Sequence, residues 1–215
     1  MHGCIKYNHA YYAIITTPMK AEIGVGTPSG KSGGKRTRTK AKLIEAAAAV
    51  IGEKGFDRAS LEEIATRAGM TRGAVYGNYK NKEELFLAVV AELWKPILPP
   101  VQPSMSLAQQ MRVLGQTVAR EARARQRYAA AATAFQLYVL THEEMRSQIS
   151  RKNAAVYRNL AKGIRKLVPE KDLPMAAEHF VRVLDALTSG LLFTYFQTPA
   201  LISEEVFVAA FEALV

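Results

Sequence analysis

The stretch that most limits what this chain can become runs from Ser60 to Leu85, SLEEIATRAGMTRGAVYGNYKNKEEL. Ser60 with Glu63 three positions later reads as a capping box, in which the hydroxyl accepts from the Glu63 backbone N–H and the Glu63 carboxylate reaches back. Leu61, Ile64, Ala65 and Ala68 then recur at helical spacing, and Gly69 supplies a turn. Thr71 reads as the N-cap of a third, very short helix ending near Tyr79. Asn81 caps a further helix whose first turn carries Glu83 and Glu84, where negative charge suits the helix dipole. Such a stretch folds locally as helix, tight turn and stubby helix.

The stubby helix divides its residues by face. Val75 and Tyr79 lie about one turn apart and face the core, while Arg72, Gly73, Tyr76 and Gly77 fall opposite them. Arg72 has the fork geometry that reads guanine O6 and N7. Gly73 and Gly77 cost about 1 kcal/mol each against alanine in a helix interior, a cost that close backbone approach to a ligand surface would offset. Tyr76 offers a hydroxyl to a phosphate, and Lys80 and Lys82 supply charge beside it. The second helix of a helix-turn-helix enters the DNA major groove while the first lies across the backbone.

The flanking sequence is helical throughout. Leu43, Ala47, Val50 and Ile51 share a face of a helix that begins near Thr37 and stops at Gly55. Leu85, Phe86, Val89, Val90 and Leu93 form the buried side of the helix after Asn81, which Pro96 breaks. Beyond PILPPVQPS come a stripe of Leu107, Met111, Leu114 and Val118, a helix containing Phe135 to Leu140, and a stripe from Met145 to Leu167. Two apolar helices, Met175 to Gln197 and Ser203 to Val215, close the sequence. No segment alternates convincingly as a strand, so the fold class is all-α.

Among 215 residues the formal net charge is +10, which points to a polyanionic partner, either nucleic acid or an anionic membrane surface. Lys31, Lys35, Arg36, Arg38, Lys40 and Lys42 cluster with no acid among them, just ahead of the first helix face. Cys4 is the only cysteine, so an intrachain disulfide and a thiolate metal cluster are excluded. No apolar run approaches the roughly 18 residues of a membrane span, and AYYAIITT is too short and tyrosine-rich for a signal core. The expected location is cytoplasmic. Residues 1–34 read as a flexible tail rich in Gly, Ser and Pro, containing Met19 as a second possible start. Val25 to Ser32, VGTPSGKS, ends like a phosphate-binding loop but has Val25 in place of the first glycine, and Gly33 and Gly34 oppose a helix start. It is read as linker.

The segment from Thr37 to about Pro96 resembles the DNA-binding domain of TetR/AcrR-type transcriptional regulators. The resemblance rests on Gly55–Phe56, on Ser60 to Leu85 and on the amphipathic helix that follows. It implies an N-terminal three-helix helix-turn-helix domain over residues 37–97 (the motif itself at 60–79), joined through a fourth helix to an all-helical effector-binding and dimerisation domain over 98–215. By that resemblance Ser60, Thr71, Tyr76 and Lys82 match phosphate-contacting positions, and Arg72, Gly73 and Ala74 match base-facing ones. Asn78 stands where the family often has histidine, and Gly77 where it often has a bulkier or polar residue. The basic arm from Lys35 to Lys40, with Arg36 and Arg38, is expected to strengthen binding without choosing sequence, or to reach an adjacent minor groove.

The resemblance also implies a small-molecule effector bound between the central helices, with Met111, Leu114, Thr117, Phe135, Tyr138, Tyr157 and Phe193 as candidate lining; each also reads as plain core. It implies a homodimer through the last two helices, and the wide apolar faces bearing Phe180, Leu184, Leu187, Leu191, Phe207 and Phe211 agree with that. A larger monomer core is the alternative use of those faces. The expected activity is a sequence-specific, ligand-responsive repressor acting at a double-stranded DNA operator, with no membrane, cofactor or metal. The alternatives are an effector-free, chromosome-organising DNA-binding protein and a peripheral membrane protein.

The remaining candidates carry little. His142 precedes Glu143 and Glu144, and His179 follows Glu178, but adjacent helical residues do not face each other, so neither is a metal or proton-transfer pair. The arginines of REARARQR, Arg120 to Arg127, read as a solvated face, with an acidic effector or lipid headgroup as the functional option. No G-x-S-x-G, H-E-x-x-H or cysteine nucleophile pattern occurs, and no enzyme or catalytic residue is expected.

Overall fold

In the computed structural model, residues 33–93, 95, 97–102 and 104–215 are described. The tail 1–32, with Cys4, Met19 and the loop-like VGTPSGKS, lies outside them, as does Pro96. Nine helices occur among the described residues, with two short 3-10 turns and no strand. They are α1 (Gly33–Lys54), α2 (Leu61–Arg67), α3 (Arg72–Tyr76), α4 (Lys82–Leu93), α5 (Leu107–Arg125), α6 (Ala129–Thr141), α7 (Glu143–Leu167), α8 (Ala177–Gln197) and α9 (Glu204–Glu212). The all-α expectation holds.

One difference appears at once. α1 already includes Gly33 and Gly34, the glycines expected to oppose a helix start, so the basic arm is helical backbone from Gly33 onward. Gly34 has open space around it, and its helical cost is spread over a 22-residue helix whose apolar face is buried.

The chain forms two compact units. The first contains the described parts of 33–95 with 127–146, and so takes in α6 as well as α1 to α4. Leu43, Ala47, Val50 and Ile51 on α1, Leu61, Ile64 and Ala65 on α2, Val75 on α3, and Leu85, Phe86 and Val89 on α4 are all buried, as the spacing predicts. Each large apolar side chain so buried contributes about 1.5–3 kcal/mol of transfer free energy. α6 lies against α1 closely enough that a Cβ at Gly52 would stand 2.9 Å from Ala130 Cβ. Phe56, Phe86, Phe135 and Tyr138 gather their rings here, with Phe56–Phe86 centroids 4.0 Å apart and Phe56–Tyr138 4.7 Å. His142 stacks on Tyr138 at 3.8 Å, its Nδ1 2.9 Å from the Tyr138 carbonyl oxygen. It is a satisfied histidine.

The second unit contains the described parts of 96–126 and 147–215, with a core of Met111, Val118, Ala122, Phe180, Phe207 and Phe211 among others. α5 starts on a full capping box, Ser106 with Gln109, which the S-x-x-Q spacing encodes. α9 packs along α5 at Gly115, where an added Cβ would meet the Val208 backbone at 2.8 Å. Arg112–Glu212 at 2.7 Å and Arg123–Glu204 at 3.0 Å flank that contact. This close approach corrects one expectation: Phe180, Phe207 and Phe211 do not face outward to a partner. They are 1 %, 0 % and 0 % exposed inside the chain's own core, while Leu184, Leu187 and Leu191 pack on it only in part.

Candidate nucleic-acid interface

The reading element is built by two turns of opposite demands. α2 begins at Ser60, whose Oγ accepts from the Glu63 N–H at 3.2 Å. The reciprocal half of the expected box is not made: the Glu63 carboxylate instead binds Lys54 Nζ at the end of α1. That exchange ties α2 to α1, as does the two-pronged Arg67–Glu53 pair at 2.8 and 2.7 Å, which holds the Glu53 carboxyl below its usual range. Gly69 takes φ 64°, a conformation costly for residues with a Cβ, and turns the chain into α3. Thr71 Oγ1 then accepts from Ala74 N–H at 3.2 Å as the N-cap.

α3 is five residues long. Val75 is fully buried and Tyr79 is 4 % exposed, while Thr71, Arg72, Gly73, Tyr76, Gly77 and Lys80 are all exposed and Ala74 is half-buried. Burial, with the Glu84 carboxylate adding to it, pushes the Tyr79 hydroxyl up to about 12, so this ring stays neutral in the support of the helix. Only Gly73 lies inside the helix; Gly77 is its C-cap. A Cβ at Gly73 would meet nothing nearer than Thr71 Oγ1 at 3.8 Å, so the chain's own packing does not require glycine there.

Three expected contact residues are already engaged. The Arg72 Nη2 stands 3.0 Å from Glu62 Oε1 and 3.4 Å from the Tyr76 hydroxyl, with the guanidinium 5.4 Å from the Tyr76 ring centre. The Tyr76 hydrogen bond and then the Glu62 charge push the Arg72 pKa up. Lys82 Nζ donates to the Asp57 carbonyl at 2.9 Å and sits 4.6 Å over the Phe56 ring, closing the loop before α2. Asn78 donates its amide to the Ala74 carbonyl at 2.8 Å, and its Oδ1 is buried without a partner among the described residues. Lys80 contributes differently: its backbone N–H donates to Glu84 Oε2 at 2.6 Å, while the Glu84 N–H donates to the N-cap Asn81 Oδ1 at 2.8 Å. On α1, Arg36 and Arg38 are exposed and Lys40 Nζ lies 5.6 Å over the Tyr79 ring. Of Lys35 only its helical backbone is described.

The arrangement is a short outward helix with guanidinium, phenol and bare backbone on one face and a tight glycine turn behind it. The sequence from Leu43 to Val89 matches the model of bacterial regulatory proteins of the tetR family. That match spans the helix-turn-helix segment, and over it the chain is similar to the tetR family. Over a 77-residue stretch the chain is 34% identical to the regulator SrpR of Pseudomonas putida, 36% of this chain and 36% of that protein. Over 55 residues the identity to TtgR, also of Pseudomonas putida, is 44%, 26% of each chain. The chain therefore matches about a third or less of the length of these two relatives. Solved structures extend the likeness of fold to most of the chain. NalD, the secondary repressor of the MexAB-OprM multidrug efflux pump in Pseudomonas aeruginosa, shares 25% identity and a TM-score of 0.57, over 81% of this chain and 93% of its own. A transcriptional regulator of Pseudomonas aeruginosa PAO1 gives a TM-score of 0.64 at 22% identity, over 91% and 93% of the two chains.

The seven residues expected around an effector divide between the two units. Phe135 and Tyr138 belong to the aromatic cluster of the first. Met111 is buried in the second unit's core, Leu114 and Tyr157 pack partly on it, and Phe193 is half-buried with its ring centre 6.0 Å from that of Phe196. Thr117 is 2 % exposed and its hydroxyl donates to the Val113 carbonyl at 2.7 Å. Tyr157 donates to Asp185 at 2.7 Å, and burial followed by that bond raises its pKa to about 12. The arginine run is largely paired within the chain: Arg123 to Glu204, Arg125 to Glu121 and Arg127 to Glu45. Among the described residues no helix is long and apolar enough to cross a membrane.

Proposed function

We propose that this chain is a TetR-family, sequence-specific DNA-binding transcriptional regulator, a repressor that responds to a small molecule. The observation that carries the reading is the division of α3: Val75 and Tyr79 are buried while Arg72, Gly73, Tyr76 and Gly77 are presented outward from a five-residue helix. In this reading Arg72 reads a base edge, Gly73 and Ala74 allow close approach, and Thr71, Tyr76, Lys80 and the N-terminal end of α2 at Ser60 grip phosphates. Lys35, Arg36 and Arg38 follow the backbone or an adjacent minor groove. Lys82 and Asn78 act mainly by shaping the loop and the helix end, where each already donates one side-chain hydrogen bond.

A homodimer is part of the proposal. No residue of α8 after Val181 is buried, although Leu184, Leu187, Leu191, Leu192 and Phe196 all follow it. A second copy seated along that half of α8 would cover them, and a two-fold pair of α3 helices would read half-sites about one DNA turn, roughly 34 Å, or a multiple of it apart. An effector in the second unit would shift affinity only by binding the DNA-competent and incompetent states differently. The structure of the SmeT protein in complex with triclosan, similar in fold at a TM-score of 0.56, supports looking for an apolar aromatic molecule.

Substitution separates base reading from backbone grip. Arg72→Ala should relax preference at one position per half-site, costing about 1–3 kcal/mol, and Lys80→Ala should weaken all DNA alike and reduce the salt slope by about one charge. Sequence-blind losses from both would remove Arg72 from its role. A chain that prefers no sequence would fit the chromosome-organising reading instead.

A further inference from the structure

An acid stands directly beside the arginine of the reading helix. Glu62, in the first turn of α2, stands beside Arg72 across the glycine turn, with Oε1 3.0 Å from Nη2. Its neighbour Glu63 is occupied by Lys54, so Glu62 is the acid left to meet the reading helix. Both side chains are more than half exposed, so the pair adds little to folding, and its consequence is sought in what Arg72 meets next. Tyr76 completes the arrangement: its ring lies under the guanidinium and its hydroxyl is 3.4 Å from the same Nη2. One nitrogen is thus held from two sides, while a guanidinium has five N–H donors in a rigid fork and keeps others free for a base edge.

Resting on the DNA-binding reading above, we propose that Glu62 is a specificity-determining positioning residue, which holds Arg72 on Tyr76 and offsets its charge toward phosphate. A free arginine on a groove-facing helix gains nearly as much from any phosphate as from a base, because counterion release is blind to sequence. An arginine already next to a carboxylate gains less from a second anion. A guanine edge still rewards it, because O6 and N7 accept two aligned hydrogen bonds rather than offering net charge. Glu62 therefore lowers bulk DNA binding more than operator binding. It widens the ratio between them without needing to touch a base itself.

The test uses the full chain, a duplex enriched by the wild-type protein from a random-sequence pool, and a scrambled duplex of the same length and composition. Glu62→Gln keeps the size and polarity of the side chain and removes its charge. It should tighten the scrambled duplex by about five- to tenfold, the worth of one exposed charge contact, and steepen its salt slope by about 0.9. Affinity for the enriched duplex should change by less than about threefold, so the specificity ratio falls. In an Arg72→Ala background the same substitution should have no effect on the ratio. Equal changes on both duplexes, or a shift that persists without Arg72, would make Glu62 a general repellent and overturn the proposal. Failure of the wild-type chain to enrich any sequence would instead remove the regulator reading itself. Preference by the wild type that Glu62→Gln leaves intact would remove only the role given to Glu62.

Discussion

Gly73 is where folding and binding make opposite demands on one residue. Nothing in the chain crowds its missing Cβ, and its backbone is helical, so alanine there should keep or raise stability, by up to about 1 kcal/mol. A duplex pressed against the same backbone would meet the added methyl. Gly73→Ala should accordingly leave the thermal midpoint unchanged or higher while weakening the enriched duplex on the order of tenfold, about 1.4 kcal/mol. Equal affinity for wild type and variant, by titration of a labelled duplex, would show that α3 does not approach DNA through Gly73. The faces of α3 were legible from spacing alone, because five residues of helix leave few ways to bury Val75 and Tyr79 together. The Glu62–Arg72 pair was not legible. It depends on the angle at which α3 leaves Gly69, and a separation of ten positions across a turn carries no periodic signal.

Helix pairs carry the second set of consequences. The seam of α5 and α9 is as close as backbone contact allows, with Gly115 facing Val208 N and Cα and the Phe207 carbonyl oxygen within 3.1 Å of an added Cβ. No flexible side chain can yield there. Gly115→Ala should destabilise by about 1–3 kcal/mol, read as a lower denaturant midpoint, while leaving the α3 face untouched. An unchanged midpoint would mean that the helices sit farther apart than described. The junction of α7 with α8 is held by charge instead. Arg165 reaches both Glu170 and Glu178, and its hydrogen bonds hold both carboxyls below their usual range. Depressed carboxylate pKa values stabilise the fold above the unfolded-state value near 4.3 and lose that stabilisation as pH falls through the folded values. Arg165→Met should therefore lower the thermal midpoint at pH 7, and the gap to wild type should close below about pH 4. A gap independent of pH would assign the effect to packing of the Arg165 stem. Capped elements such as α2, α4 and α5 announce themselves in sequence, since a cap is a local bond between near neighbours. The orientation of Phe180, Phe207 and Phe211 did not, because α8 and α9 are apolar on several sides and only the close approach at Gly115 decides which side turns inward.

At the scale of the molecule the account joins a charge, a fold and a face. The charge of +10 calls for a polyanion, and the helical fold is similar to that of solved structures over most of the chain. The outward side of α3 supplies chemistry suited to base edges. Sequence carried the fold class and the motif because both follow from helical periodicity and caps. It misplaced part of the expected dimer face and spread the expected effector lining over two units, since apolar stripes look alike whether they meet a neighbour, a ligand or a second copy. The central claim is that α3 chooses among DNA sequences. Its most direct test is the ratio of dissociation constants of the full chain for its enriched duplex and for a scrambled duplex of the same composition, at one fixed physiological salt concentration. The account predicts a ratio of at least about 1,000. Equal affinity for the two duplexes would contradict it.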